Sequence, residues 1–237
     1  MIKIYGKNCV YAAIMKGSKL NTVYLSEDTI KSDKTILNIL NDKKYKYVVL
    51  PKKKLDNEFP FQNQGYGALR EDYKILNEDY LNELPKERGR VLILDGIQDP
   101  HNLGAILRSV DAFGYDLVIL PKNRSVSVNE TVAHISTGAI EYTNIMYVNS
   151  LNNTVNKLKE LGYWICGTDA KGDILSKDID KSLNLAVIIG SEGFGMSRTL
   201  VKSSDFLIKI PMKGHVNSLN ASVSCGIVLH DLMAIDD

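Results

Sequence analysis

Cysteine is scarce in this chain: 237 residues hold only Cys9, Cys166 and Cys225. An odd number, wide spacing and no C-x-x-C pair exclude a disulfide framework and a zinc knuckle, leaving buried thiols of a reducing cytoplasm as the reading. No H-E-x-x-H helix occurs either, so no metal site is expected. Long apolar runs are also missing. None approaches the roughly 20 residues of a membrane span, and the N-terminus, MIKIYGKNCVYAAIMKGSK, has no continuous apolar core of the kind an export signal needs. The expectation is a cytoplasmic protein with no membrane partner. Both common phosphate loops are absent, G-x-x-x-x-G-K-[ST] and G-x-G-x-x-G. A dinucleotide-dependent oxidoreductase would carry the second after its first strand; here that place reads GIQDPHNLG.

What is present begins with an uneven charge. Residues 1–54 hold 12 lysines, no arginine and 4 acids, a net +8 in a chain whose total is +1, so the rest carries −7. Lys43, Lys44 and Lys46, with Lys52, Lys53 and Lys54 beyond them, form a basic stretch. It could follow a phosphate backbone, because each neutralised phosphate releases a counterion; the plainer alternative is a solvated lysine-rich face.

Periodicity then gives the organisation. A small α/β unit opens the chain, with a helix over 5–15, a strand over 22–25, a helix over 29–42 and a strand over 47–50. Residues 77–90, NEDYLNELPKERGR, read as a linker or a short connecting helix. Six apolar runs follow, VLILD, DLVILP, NIMYV, YWICGT, LAVIIG and FLIKIP, most of them separated by helical segments. Continuous apolar strands alternating with helices imply a parallel sheet with helices on both faces. The domain assignment is therefore 1–76, a linker at 77–90, and 91–237. In the helix expected over 103–113, Leu103, Ile106, Leu107, Val110 and Phe113 share one face and Arg108 projects roughly opposite.

Three runs carry chemistry: DPHNLGAILRSVDAFG at 99–114, IIGSEGFGM at 188–196 and IPMKGHVNSLNASVS at 210–224. Each follows a strand, where an open α/β sheet collects its ligand-binding loops. Taken singly, each has an ordinary explanation. Asn102 could cap a helix, Arg108 could be solvated, and the glycines around Glu192 could simply allow positive φ and close backbone approach. Ser218 or Asn217 could cap the last helix. Capping does not account for four or five small polar residues in a row, which supply uncharged donors and acceptors suited to an adenosyl or ribosyl group.

Together, in this order and spacing, the runs resemble the three signature motifs of the SpoU family of RNA ribose 2'-O-methyltransferases, of the SPOUT class. The match covers about 85–237, and the basic first unit resembles the L30-like RNA-binding domain of many members. The resemblance implies a C-terminal trefoil knot, a homodimer, S-adenosylmethionine as methyl donor and RNA as substrate, with ribosomal RNA preferred and transfer RNA as the alternative. It assigns catalytic positions to Asn102, Arg108, Glu192, Ser218 and Asn220. It assigns donor binding to Gly190, Ile210 and Leu219, with Thr168 a weaker candidate; the basic stretch makes Lys43, Lys44 and Lys46 the candidate RNA contacts. A guanosine of 23S ribosomal RNA is the implied acceptor. A non-catalytic RNA-binding homologue is the alternative from another class. Of the histidines, His101 and His215 lie in the motifs, whereas His134 and His230 read as structural.

Overall fold

The computed structural model describes residues 1–216 and 218–234; Asn217, one of the two residues expected to cap the last helix, lies outside them. The chain forms two units. The first comprises Met1–Tyr73 and Val128–Tyr142, the second Lys74–Ser127 and everything described from Thr143 onward.

The first unit runs β1 (Ile2–Tyr5), α1 (Lys7–Lys16), β2 (Leu20–Ser26), α2 (Glu27–Ser32), α3 (Lys34–Asp42), β3 (Tyr47–Leu50), α4 (Lys52–Glu58) and β4 (Tyr66–Arg70). Its sheet has the order β1-β4-β2-β3, with β2 and β3 parallel and the other pairs antiparallel. The single helix expected over 29–42 is two, because Asp33 ends α2 and caps α3, its carboxylate accepting from the Ile36 N–H at 3.2 Å. Lys43, Lys44 and Lys46 are exposed in the turn between α3 and β3.

The second unit begins at a segment expected to be a linker. Residues Glu78–Glu83 form a short 3-10 helix there, and the leucines of this stretch are not solvated: Leu81 and Leu84 are buried in the core of this unit. The order continues with β5 (Arg90–Asp95), α5 (Pro100–Ala112) and β6 (Leu117–Pro121). After β6 the chain gives α6 (Glu130–Ile135) to the first unit, a departure from one contiguous N-terminal domain. It then forms β7 (Ile145–Val148), α7 (Leu151–Glu160), β8 (Tyr163–Thr168), β9 (Ile174–Leu175), β10 (Asn184–Gly190), α8 (Arg198–Ser203), β11 (Phe206–Lys209) and α9 (Ala221–Leu232). The seven strands are all parallel, in the order β7-β6-β5-β10-β8-β11-β9. The central strands are buried throughout, as Val91–Leu94, Leu117–Leu120 and Leu185–Ile189 show, which is why they read as unbroken apolar runs.

Two buried charges fix the chain path. Arg90, 1% exposed, donates to four backbone carbonyls, those of Leu232 (2.6 Å), Leu183 (2.7 Å), Gly89 (3.0 Å) and Lys181 (2.5 Å). Its guanidinium thereby satisfies a carbonyl at the end of α9. In the first unit, Glu141 receives a two-pronged pair from Arg70, Nε to Oε1 and Nη2 to Oε2, both at 2.8 Å, and the Ser18 hydroxyl at 2.6 Å. That contact, with Ala133 in the core and Gly138 where a Cβ would meet the Ala12 Cβ at 2.5 Å, holds 128–142 in this unit.

All three cysteines are buried and free. Burial pushes the Cys9 thiol up to about 11 and Cys166 to about 12, and raises Cys225 too, so none is a ready nucleophile. Among the described residues no helix is long and apolar enough to cross a membrane.

Removing one partner of a buried ion pair strands the other. Arg70→Met is therefore expected to destabilise the protein by about 3–5 kcal/mol in denaturant unfolding. Arg70→Met combined with Glu141→Met should recover a large part of that loss; equal losses in the single and double variants would show that Glu141 is not held by this pair.

Candidate active site at the carboxyl edge of the parallel sheet

The register of the four neighbouring strands β5, β10, β8 and β11 brings their C-terminal ends together: Asp95 lies opposite Gly190, Gly167 opposite Ile188, and Thr168 opposite Ile208. All three motif runs leave the sheet at this edge.

The first leads into α5, which starts at Pro100, three residues earlier than the apolar stripe alone indicates. Its cap is Asp99, whose carboxylate accepts from the His101 N–H at 2.9 Å. Asn102 is consequently not the cap. It sits in the first turn, only 9% exposed, with its amide free to bond elsewhere. The apolar stripe is as expected, with Leu103, Ile106, Leu107 and Val110 buried and Phe113 edge-on to His230.

The second run forms a tight turn after β10. Ser191 and Gly195 exchange backbone bonds at 3.1 and 3.0 Å, with Gly193 and Gly195 at φ of 83° and 67°. Gly190 serves a different purpose: a Cβ there would lie 2.2 Å from the Gly195 carbonyl carbon and 2.3 Å from the Met196 nitrogen. The turn can fold back on its own strand only because that side chain is missing. Asp95, at the end of β5, steadies it by accepting from the Ser197 N–H at 2.8 Å.

The third run ends at Asn220, which caps α9 by accepting from the N–H groups of Ser222 (2.9 Å) and Val223 (3.4 Å). The cap was expected at Ser218 or Asn217. Asn220 uses its amide nitrogen at the same time, donating to Glu192 Oε1 at 2.6 Å and to Asn102 Oδ1 at 3.0 Å. Glu192 Oε1 also accepts from the Asn102 amide at 3.2 Å and the Ala221 N–H at 2.9 Å. One carboxylate oxygen of the second run thus gathers donors from the first and the third.

Beside this cluster lies a cavity of about 610 Å3. Thr168, Gly190, Ile210 and Leu219 all line it, as do Glu192, Ser218 and Asn220. The Thr168 hydroxyl is bound to the Ile188 carbonyl at 2.9 Å, which fixes its rotamer at the rim of β8. Asp169, Met212 and Ser224 complete the wall without having been singled out in the sequence. Ser224 sits one helical turn beyond Asn220, a spacing that becomes readable once the start of α9 is known. The size and mixed apolar and hydroxyl lining suit a nucleoside-sized ligand.

Arg108 is the exception. It is exposed on α5, lines neither this cavity nor its neighbour described below, and has no bonding partner among the described residues. His134 stacks on Tyr5 at 4.1 Å and bonds its carbonyl at 3.3 Å, in a structural role.

A Cβ at Gly190 collides with backbone, whereas at Gly193 it meets open space and costs only the positive φ. Gly190→Ala is expected to lower stability by about 3 kcal/mol and Gly193→Ala by about 1 kcal/mol in urea unfolding. Equal costs would contradict this account of the turn.

Comparison with known proteins identifies the family. The SpoU rRNA Methylase family matches residues 89–230, and the RNA 2'-O ribose methyltransferase substrate binding family matches residues 3–59. A Staphylococcus epidermidis protein whose name places it in the TrmH family of tRNA/rRNA methyltransferases is 43% identical over 236 residues, 98% of this chain and 94% of that protein. Among solved structures, an AdoMet-bound rRNA methyltransferase from Sinorhizobium meliloti superimposes with a TM-score of 0.78 at 21% identity, over 98% of this chain and 86% of that one. The A. aeolicus TrmH/SpoU tRNA modifying enzyme gives a TM-score of 0.56 at 27% identity, over 65% of this chain and 81% of its own. The chain belongs to the SpoU family of S-adenosylmethionine-dependent RNA methyltransferases.

Proposed function

We propose that this protein methylates a ribose 2'-hydroxyl of ribosomal RNA, with a guanosine of 23S RNA as acceptor, in the cytoplasm and as a homodimer. The observation that carries the reading is the convergence of the Asn102 and Asn220 amides on one carboxylate oxygen of Glu192 at the rim of the 610 Å3 cavity. S-adenosylmethionine supplies an already activated methyl group. The task left to the chain is alignment, bringing the acceptor oxygen to about 3–3.5 Å from that methyl with the bonds in line.

In this reading Thr168, Gly190, Ile210 and Leu219 hold the adenosyl portion, and the close turn at Gly190 exposes backbone groups to it. Asn102, Glu192, Ser218 and Asn220 orient the acceptor ribose. Arg108 contacts the RNA phosphate through its planar fork; a guanidinium carries N–H donors and no acceptor, which suits a phosphate and not the receipt of a proton. Arg108 faces away from the cluster of its own chain, on a helix that packs against α9, where Val223 and Ile227 are 51% and 37% exposed. These exposed apolar side chains support the proposed homodimer, in which a second copy covering the α5–α9 face would bury them and enclose Arg108.

Ribosomal RNA is preferred because the chain carries the substrate-binding unit. Its likeness to the Sinorhizobium rRNA methyltransferase runs through the whole chain, while that to the tRNA modifying enzyme covers 65%. The exposed Lys43, Lys44 and Lys46 of that unit are its proposed RNA contacts.

Incubation with methyl-labelled S-adenosylmethionine and separated ribosomal and transfer RNAs, followed by mapping of 2'-O-methyl positions, tests this. Label on a 2'-oxygen of a 23S guanosine is expected. Label in transfer RNA alone would overturn the substrate assignment, and S-adenosylmethionine binding without labelling of any RNA would favour the non-catalytic alternative.

A further inference from the structure

A second and larger cleft, about 880 Å3, adjoins the first and shares Ser191, Glu192 and Gly195 with it. It lies over the C-terminal ends of β5, β6, β7 and β10. Asn102 borders it as well, so the Asn102–Glu192 contact stands at the boundary of the two spaces. None of the three motif runs points to the opposite wall, which comes from the segments after β6 and β7.

That wall is rich in carboxamides. Asn123, Asn149 and Asn152 line it, each able to donate and accept without carrying charge. Asn152 shows an unmet need: its amide nitrogen donates to the Thr199 hydroxyl at 3.2 Å, while its buried Oδ1 has no partner among the described residues. A buried acceptor without a donor is rare in folded proteins and asks for a ligand N–H or an ordered water. Two cations flank the amides. Arg124 is held at φ 62°, unusual for a non-glycine residue, and neither it nor Arg198 has an ion-pair or hydrogen-bond partner among the described residues. Free guanidinium forks suit phosphate oxygens. Asp95 and Asp99 also line the cleft, engaged with the N–H groups of Ser197 and His101. Their charge disfavours a bare anion buried deep in the cleft and favours a ligand that is neutral at one end and anionic at its margins. At the lip, Phe194 is 94% exposed on the glycine turn, a platform on which a planar group can stack.

We propose that this cleft seats the base of the acceptor nucleotide, unstacked from the RNA, with Asn123, Asn149 and Asn152 on the base edge and Arg124 and Arg198 on its flanking phosphates. The assignment rests on the reading of the protein as an RNA ribose methyltransferase, and it gives the reaction its base selectivity. Sequence-specific RNA recognition targets nucleotides whose bases are unstacked, and a polar pocket can then read the exposed edge. With the base in the larger cleft, its ribose lies at the Asn102–Glu192 boundary and faces the donor cavity.

The test uses the full chain with S-adenosylhomocysteine present, and measures binding of the four ribonucleoside 5'-monophosphates and of ribose 5-phosphate by saturation-transfer NMR. At least one nucleotide is expected to bind about tenfold more tightly than ribose 5-phosphate. Asn152→Leu should abolish that preference, and Arg124→Ala and Arg198→Ala should weaken the nucleotide while preserving the melting temperature, since both side chains are exposed. Ribose 5-phosphate binding as well as every nucleotide, or nucleotide binding unchanged in all three variants, would overturn the proposal. S-adenosylhomocysteine binding by calorimetry on the same sample reads the donor cavity separately. Its failure would count against the methyltransferase reading, whereas donor binding without base preference would count against the base cleft alone.

Discussion

A single carboxylate oxygen, Glu192 Oε1, joins parts of the chain that are 90 and 28 residues away from it, at Asn102 and Asn220. Bonds to a charged acceptor are roughly twice as strong as those between neutral groups, and this oxygen takes a third from the Ala221 backbone. The consequence is geometric as much as energetic. The first turn of α5, the turn after β10 and the start of α9 are locked to one point, and the two cavities share that point as a wall. In the proposed reading this point fixes the donor cavity relative to the acceptor cleft, and an in-line transfer depends on such a relation.

The rest of the second unit can be read as support for that point. Parallel pairing of β10 between β5 and β8 places the turn after β10 beside the start of α5. Gly190 lets the turn fold back tightly enough to present Glu192, and Asp95 restrains the far end of the turn through Ser197. At the other end of α9, Arg90 spends its guanidinium donors on backbone carbonyls, including that of Leu232, so the helix carrying Asn220 is fixed at both ends. A buried arginine satisfied by carbonyls leaves few alternatives for the segment it holds.

How far the sequence alone reached depends on what kind of information each element carries. Six strands of the second unit were legible as apolar runs, most clearly the central β5, β6 and β10, whose residues are buried nearly throughout. β1, β4 and β9 were not. β1 merges with the helical pattern that follows it, β9 has two residues, and β4 contains Gly67, where a Cβ would lie 2.6 Å from the Phe59 ring. The return of 128–142 to the first unit was equally hidden, since it turns on Glu141 meeting Arg70 across 71 residues. In the site, the residue types were visible and their meeting point was not. Spacing said nothing of Asn220 serving as cap and amide donor at once, or of Asn102 being released from capping by Asp99. The larger cleft was invisible, because Asn123 and Asn149 stand in loops without periodicity and Asn152 is one polar residue in the first turn of α7. Arg108 shows the opposite case, conspicuous by motif and remote from the cluster within its own chain.

The central claim is that Glu192 marks the boundary between a methyl-donor cavity and an acceptor cleft. A crystal structure with S-adenosylhomocysteine tests it most directly. The account predicts the adenosyl group between Gly190 and Leu219, with the sulfur turned toward the Asn102–Glu192 contact. Density for the ligand in the larger cleft, or a sulfur turned away from Glu192, would contradict it.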